Sequence, residues 1–434
     1  MTLSQAATYN LKAVTHETGL AADTLRAWER RYGLPLPQRT RGGHRLYSER
    51  DIHLIKWLMS RQTEGLSISR AVERWNDLIS SGSDPLNETG TAVMAALAFP
   101  AAPQSKIDAL RAQWLRACTA YDEVSAEHIL NEAFAMYATE TVVTDLIQAA
   151  MHDIGEMWQR GEASVQQEHF MSSLCMRRLD ALIEATPPPV QPEIVVLACP
   201  ESEVHVLPIQ FLHLLLRRVG RRVVFLGADV PMAQLGSTVQ DVKPALVVMT
   251  AQQLTTASTL RDAAALLQIM RVPTAFGGRV FDSVPELREA IAGSFLGGEI
   301  KGAAAAIDDL LRHADSPGRR SRPGRASEAQ LFREMQAKIE SNVQKHFAQS
   351  SMPSRQLATA NRFLGAGLGA ALDFGNVRYL EADIEWVRVL LRGQGFPEAG
   401  LRGYLLAYAH GVRRVLRGEA GEIAGWLESY AGRL

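Results

Sequence analysis

The chain has 434 residues, more than one ordinary domain, and this length predicts about two to four domains. Apolar residues make up 47% and charged residues 21%, which is typical of a globular protein, and without a run of about 18 apolar residues we expect no membrane contact. A net charge of −1 excludes nucleic-acid binding along the whole surface, and a start without a secretion signal predicts a cytoplasmic protein.

Positive charge is concentrated near the N-terminus, where six arginines stand against two acidic residues between Asp23 and Arg45. Residues 11–31 have the pattern of two helices joined by a tight turn. In the second helix Leu25 and Trp28 are three residues apart and share its buried face. Three arginines fall on or near the opposite face: Arg26, Arg30 and Arg31. This layout is typical of a helix-turn-helix whose second helix enters a major groove, although arginine-rich helices are also often plain solvated faces.

A glycine pair inside the segment RTRGGHRLY, residues 39–47, predicts a hairpin wing that lies on phosphates. Residues 8–78 as a whole resemble the DNA-binding domain of the MerR family, through AADTLRAWERR at 21–31, YGL at 32–34 and the wing. The resemblance implies that the three arginines lie in or beside the groove of a double-stranded DNA operator. It also implies that four wing residues grip the DNA backbone: Arg41, His44, Arg45 and Tyr47.

The rest of the chain divides by pattern into further domains. After the DNA-binding domain, residues 1–80, a linker at 81–104 leads into four helical segments at 105–186, which predict a four-helix bundle. Residues 190–313 alternate strand and helix, which predicts a Rossmann-like domain with five parallel strands. A basic linker at 314–327 precedes a helical domain at 328–434, for which we expect a dimerisation or sensor role. The fold class is therefore multidomain α and α/β.

Two short constellations carry the chemistry of the middle of the chain. Trp158 is followed by Glu168-His169, and Glu203-x-His205 lies on the loop that leaves the first predicted strand. Open α/β sheets bind ligands at such loops, and histidine is a common metal ligand when a neighbour such as Glu203 fixes its other nitrogen. Taken singly, each of these residues could equally be ordinary core or surface.

Residues 105–312 resemble the cobalamin-binding regulators of the CarH and LitR group, through Trp158, the nine-residue spacing to Glu168-His169, and Glu203-x-His205. The resemblance implies that Trp158, Glu168 and His169 cover the upper face of the corrin, and that His205 is the lower cobalt ligand beside Glu203. Three later residues would line the buried nucleotide tail: Thr250, Gly277 and Gly278.

The same resemblance implies a non-enzymatic repressor that binds adenosylcobalamin, responds to light and forms homo-oligomers, either dimers or tetramers. Two residues depart from the pattern: Pro208 replaces a loop glycine, and Gln159 stands where the photosensors of the group have a cobalt-capturing histidine. One alternative is therefore a regulator that senses another ligand, such as a tetrapyrrole or bilin. A ligand-free scaffold and a corrinoid methyl-transfer protein are further alternatives. A methyl-transfer protein would not need the N-terminal DNA-binding domain, so the presence of this domain argues against that alternative.

Overall fold

A computed structural model describes residues 7–18, 20, 22–39, 45–63, 68–80, 86, 104–312, 326–347, 354–393, 397–417 and 421–434. The chain forms two compact units, the first comprising Met1–Ala117 with Asp122–Ala149 and the second Cys118–Tyr121 with Ala150–Leu434. Within the described ranges, no helix combines the length and the apolar character needed to cross a membrane.

The first unit begins with the helix-turn-helix, formed by α1 (Leu11–Thr18) and α2 (Ala22–Tyr32). A small antiparallel sheet follows the order β1 (Tyr9–Asn10), β3 (Arg45–Tyr47), β2 (Gln38–Arg39). Helices α3 (Glu49–Thr63) and α4 (Ile68–Ser80) complete this part. Ser48 and Asp51 exchange hydrogen bonds at the start of α3, because each side chain accepts the other residue's backbone N–H. The apolar faces of these helices meet in one core, which contains Leu25, Trp28 and Ile55.

The region predicted to form the bundle contains four helical segments. They are α5 (Gln104–Thr119), α6 (Glu123–Met136), a continuous stretch of α7 (Thr139–Thr141), a π-helical segment (Val142–Gln148) and α8 (Ala149–Gln159), and then α9 (Val165–Glu184). Helix α9 starts with a capping box in which Ser164 and Gln167 each bond the other's backbone N–H. The amide of Gln167 also donates to the carbonyl of Thr119 at 2.6 Å, which ties the start of α9 to the end of α5.

The predicted five-stranded parallel sheet is confirmed in the second unit. Its strands are β4 (Ile194–Pro200), β5 (Arg222–Val230), β6 (Leu246–Thr250), β7 (Thr274–Gly277) and β8 (Ser294–Phe295). The order is β5-β4-β6-β7-β8, so the chain leaves β4 for one side of the sheet and returns to its other side. This topological switch point lies between β4 and β6, where open α/β sheets have their ligand crevice.

Helices cover both faces of this sheet, which is why its strands are almost wholly apolar. They are α10 (Leu207–Arg218), α11 (Met232–Val242), α12 (Leu254–Ile269), α13 (Val280–Ser283), a 3₁₀ segment (Pro285–Ala290) and α14 (Ile300–Arg312). One face packs against α10 and α14 through residues such as Ile209, Leu216 and Ile307. The other face packs against α12.

The C-terminal helices pack on α12 of the sheet domain. They are α15 (Ala326–Phe347), α16 (Ser354–Asp373), a 3₁₀ segment (Val377–Leu380), α17 (Glu381–Gly393), α18 (Glu398–Leu416) and α19 (Gly421–Arg433). One continuous hydrophobic core runs from the sheet through Leu260 of α12 to Leu368 of α16 and Tyr408 of α18. The hydroxyl of Ser258 also donates to the buried Asp373 carboxylate at 2.6 Å. The tail is therefore part of the same folded body as the sheet.

Candidate functional site

The loop between β4 and α10 holds a histidine against a buried carboxylate. Glu203 has a fully buried side chain, whereas 51% of the His205 side chain is exposed. Oε1 of Glu203 accepts the backbone N–H of His205 at 2.9 Å and lies 2.6 Å from its Nδ1. A carboxylate at Nδ1 favours the tautomer protonated there, which leaves Nε2 with a lone pair for a ligand.

The second oxygen of Glu203 is held by the loop that follows β6. It accepts the backbone N–H of Gln252 at 2.7 Å and the hydroxyl of Thr256 at 2.6 Å. Thr256 is buried in the first turn of α12 and completes a chain of contacts from that helix through Glu203 to His205. Sequence reasoning missed both Gln252 and Thr256, because their only signal is a position near the end of a strand next to β4.

These contacts decide the charges at the site. Burial opposes ionisation of Glu203, but the hydrogen bonds from His205, Thr256 and Gln252 outweigh it and hold the pKa of Glu203 below its usual value. The hydrogen bond to Glu203 raises the pKa of His205, against the opposing effects of burial and of the Arg279 charge. The site thus contains an ionised carboxylate that increases the basicity of the imidazole.

A glycine pair lies at the end of β7: Gly277 is the last residue of the strand, next to Thr250 at the end of β6, and Gly278 follows it. The hydroxyl of Thr250 accepts a hydrogen bond from Nε2 of Gln252 at 2.8 Å. Gly278 has a φ of +120°, and a Cβ there would lie 2.0 Å from the carbonyl oxygen of Ala251. Gly277 has nothing within 4 Å of the corresponding position. The backbone geometry therefore requires glycine at 278, whereas the space beside Gly277 is open.

The residues predicted to cover the upper face lie on α8 and α9. Oε1 of Glu168 accepts the hydroxyl of Ser172 at 2.6 Å, and Oε2 lies 2.9 Å from Nδ1 of His169. The charge of Glu168 makes a small contribution to the raised pKa of His205. His169 points largely to solvent, with 74% of its side chain exposed. Trp158 is partly buried and packs against Trp386 of the C-terminal domain, which sequence reasoning did not place here.

The donor set at His205 fits a cobalt macrocycle. Cobalt accepts imidazole ligands, and a corrin needs one such ligand from below with a fixed ring orientation. The buried Glu203 supplies that orientation, and the half-exposed ring of His205 presents Nε2.

The residues predicted to contact DNA belong to the first unit. Arg26, Arg30 and Arg31 of α2 are exposed, opposite the buried Leu25 and Trp28. Two of the predicted wing contacts, Arg41 and His44, lie outside the described residues.

The other two wing residues converge on Glu29 of α2. Nε of Arg45 donates to Oε2 of Glu29 at 2.8 Å, and the hydroxyl of Tyr47 donates to Oε1 at 2.5 Å. Tyr47 is fully buried, and burial together with Glu29 raises its pKa. The expectation that Tyr47 grips the DNA backbone is therefore corrected: its ring fills the core and its hydroxyl fastens the wing to α2.

Comparisons with known proteins agree with this architecture. Residues 9–75 match the model of the MerR HTH family regulatory protein, and residues 110–183 and 193–307 each match a B12 binding domain. The HTH-type transcriptional repressor CarH of Myxococcus xanthus is 31% identical over 240 residues, covering 55% of this chain and 77% of the relative. CarA, a second repressor of that organism, is 28% identical over 245 residues, covering 56% and 76%.

Among solved structures, the monomethylamine corrinoid protein of Methanosarcina barkeri is 19% identical, with a TM-score of 0.41, covering 48% of this chain and all of that one. The identity and coverage of the first repressor decide the assignment. The chain belongs to the family of transcriptional regulators that join a MerR-type helix-turn-helix to B12 binding domains.

Proposed function

We propose that this chain is a cytoplasmic transcriptional repressor that binds a double-stranded DNA operator and takes adenosylcobalamin at His205. The observation that carries the cofactor assignment is the imidazole of His205 held by the buried carboxylate of Glu203 at the switch point of the sheet. The matched repressors of Myxococcus xanthus support the regulatory role.

In this proposal Nε2 of His205 is the lower cobalt ligand, and Glu203 with Thr256 behind it fixes the ring. Trp158, Glu168 and His169 cover the upper face. The nucleotide tail is bordered by Thr250, Gly277 and Gly278. The absence of a side chain at Gly278 lets its backbone approach Ala251, on the loop that follows β6. Bound adenosylcobalamin supplies a cobalt–carbon bond that light can break.

Cobalamin regulates DNA binding if its affinity for the assembly that binds DNA differs from its affinity for the assembly that does not. A homodimer or tetramer presents several copies of α2, and linked copies raise operator affinity without new contacts. Loss of the upper ligand would then lower repression by lowering the number of linked DNA-binding domains.

A second candidate is a cobalamin sensor that does not respond to light, and Gln159 favours it. This residue ends α8 directly after Trp158, and an amide is a poorer cobalt ligand than an imidazole. The histidines nearest in sequence are each held by a carboxylate, His152 by Glu156 at 3.2 Å and His169 by Glu168 at 2.9 Å. Both side chains are largely exposed, so we assign neither of them as a substitute for the cobalt-capturing histidine.

The test is to mix dark-purified protein with adenosylcobalamin, desalt it, and record the visible spectrum, the mass by size exclusion and operator binding before and after green light. The proposal predicts a retained spectrum, with light changing the spectrum, the assembly and the DNA affinity together. His205→Ala is the matched variant, and it should stay folded but lack the spectrum of imidazole-ligated cobalt.

Retention of cobalamin without a light-dependent change of assembly would favour the second candidate. If the wild type retains no cobalamin, or if His205→Ala leaves the cobalt spectrum unchanged, the cofactor assignment is wrong.

A further inference from the structure

Helix α17 of the C-terminal domain contacts the helix that carries the predicted cap. The rings of Trp386 and Trp158 have centroids 5.3 Å apart with an interplanar angle of 51°. Trp158 lies one residue before the end of α8, and both rings are partly buried. Any movement of this end of α8 away from α17 must therefore break an aromatic contact.

The same helix contacts the loops that hold the histidine. The carboxylate of Asp383, one turn before Trp386, lies close enough to the backbone N–H of Leu254, the first residue of α12, for that N–H to lower its pKa. Asp383 also lies near the Arg279 charge, which lowers its pKa against the larger effect of burial. The backbone N–H of Arg279 donates to Oε1 of Gln252, the residue whose own N–H holds Glu203. Asp383 thus lies beside the framework that holds His205.

Helix α17 is attached to a domain that cannot move freely from the sheet. The apolar core is continuous between α12 and α16. Asp373, at the end of α16, accepts hydrogen bonds from Ser258 at 2.6 Å and from Arg333, and its carbonyl accepts one from Arg261. The C-terminal domain therefore moves with the sheet, and Trp386 extends from it to α8.

We propose that α17 is a clasp that holds the cap helix α8 closed over the cobalamin domain, so that cobalamin binds or leaves only after Trp386 separates from Trp158. The inference rests on the proposed cobalamin site. A ligand held by His205 and covered by Trp158 and Glu168 can pass only when α8 and α9 separate from the sheet. The clasp lies beyond residue 307, the last residue that any of the three family matches covers.

The experiment uses the full chain with Trp386→Ala, loaded in the dark with adenosylcobalamin or with hydroxocobalamin. Association is followed by absorbance, and release is followed by chasing with a spectrally distinct cobalamin. We expect both rates to rise at least about fivefold for both cofactors, with a smaller change in Kd, because a clasp restrains passage rather than contacting the ligand. Trp386→Phe keeps a ring at this position and should restore slow exchange. Leu406→Ala, at an exposed site on α18 of the same domain, should behave as wild type.

A second readout needs no cofactor. Backbone amides of α8 should exchange hydrogen faster in cofactor-free Trp386→Ala than in Leu406→Ala, because the restraint on this helix is lost. Unchanged exchange in α8 together with unchanged cobalamin rates would overturn the clasp. Faster release of adenosylcobalamin alone would also overturn it, since Trp386 would then be a contact of the upper ligand. If the wild type binds no cobalamin while α8 exchanges faster in the variant, the proposed function fails and the contact between the helices stands.

Discussion

The fully buried carboxylate of Glu203 lies 2.6 Å from Nδ1 of the half-exposed His205 imidazole. The carboxylate is itself fixed by Gln252, on the loop that follows β6, and by Thr256, in the first turn of α12. The ring orientation is therefore set by the fold before any ligand binds, and a preorganised ligand loses less conformational freedom on binding.

Replacing Glu203 by Gln should weaken cobalamin binding by about 10- to 100-fold, the usual effect of losing the partner that orients a metal-bound histidine. The N–H₂ group of the new side-chain amide would also face one of the N–H or O–H groups that donate to Glu203, and two donors cannot form a hydrogen bond. This loss should lower the free energy of unfolding by about 1–3 kcal/mol. Titration by absorbance and urea unfolding measure the two effects. Glu201→Gln, on the exposed part of the same loop, is the control. Equal affinity of both variants would show that Glu203 does not position His205.

The glycine pair at the end of β7 offers a matched test of backbone geometry. Gly278→Ala should distort the loop and lower the free energy of unfolding by about 1–3 kcal/mol or more, because its Cβ would meet the Ala251 carbonyl at a φ of +120°. Gly277→Ala has open space and should be tolerated within about 0.5 kcal/mol. Thermal unfolding of the two variants checks this. Equal losses in both would contradict the geometry. A loss of cobalamin affinity in stable Gly277→Ala would place the cofactor beside Gly277.

The burial of Tyr47 separates a structural role from a DNA contact. Tyr47→Phe removes a hydrogen bond to an ionised carboxylate, so it should lower the free energy of unfolding of the DNA-binding domain by about 1.5–3 kcal/mol. Operator affinity, measured well below the melting temperature, should change little. A variant with unchanged stability and clearly weaker DNA binding would restore Tyr47 to the DNA backbone.

The exposed arginines of α2 should set the salt dependence of operator binding. If Arg30 contacts a phosphate, Arg30→Ala should weaken binding to all sequences and reduce the slope of log K against log salt by about 1. If it contacts a base instead, the variant should lose about 1–3 kcal/mol and relax specificity at one position. Arg70→Ala, an exposed arginine of α4 paired with Glu73, is the control. Fluorescence anisotropy at several salt concentrations distinguishes these results, and equal binding by the two variants would show that Arg30 does not contact DNA.

His213 should make the stability of the second unit fall in mild acid. Burial, with a smaller effect from Arg217, lowers the pKa of His213 from 6.5 to about 4. Between these values the unfolded chain binds the proton more readily, so stability is complete above pH 6.5 and declines as the pH falls towards 4, by up to about 3 kcal/mol. Urea unfolding of wild type and His213→Leu at pH 7 and pH 5 measures the difference. An identical loss in both proteins would show that His213 is not responsible.

Much of the architecture was predictable because its signals are local. The five strands are apolar runs bounded by turns, and the second of the two N-terminal helices carries buried Leu25 and Trp28 at helical spacing. The pairing of Glu203 with His205 was predictable for the same reason, since the two residues are two positions apart.

Contacts between distant residues were not predictable in this way. Thr256 contacts Glu203 only because β6 lies next to β4 in the sheet. Trp386 and Trp158 are in contact although more than half of the second unit's sequence separates them. Tyr47 was misplaced because an aromatic residue beside wing arginines has the same sequence pattern whether its hydroxyl meets a phosphate or Glu29. Tertiary packing decided between the two.

The hydrophobic core that α12 shares with α16 has a consequence for how the molecule melts and how it can be cut. A chain ending near residue 312 would expose the side of α12 on which Leu260 meets the C-terminal helices, so it would lose apolar burial and tend to aggregate. The sheet and the tail should instead unfold together in one cooperative transition. The C-terminal helices are therefore part of the interior of the sheet domain, and removing them would open one side of its core to water.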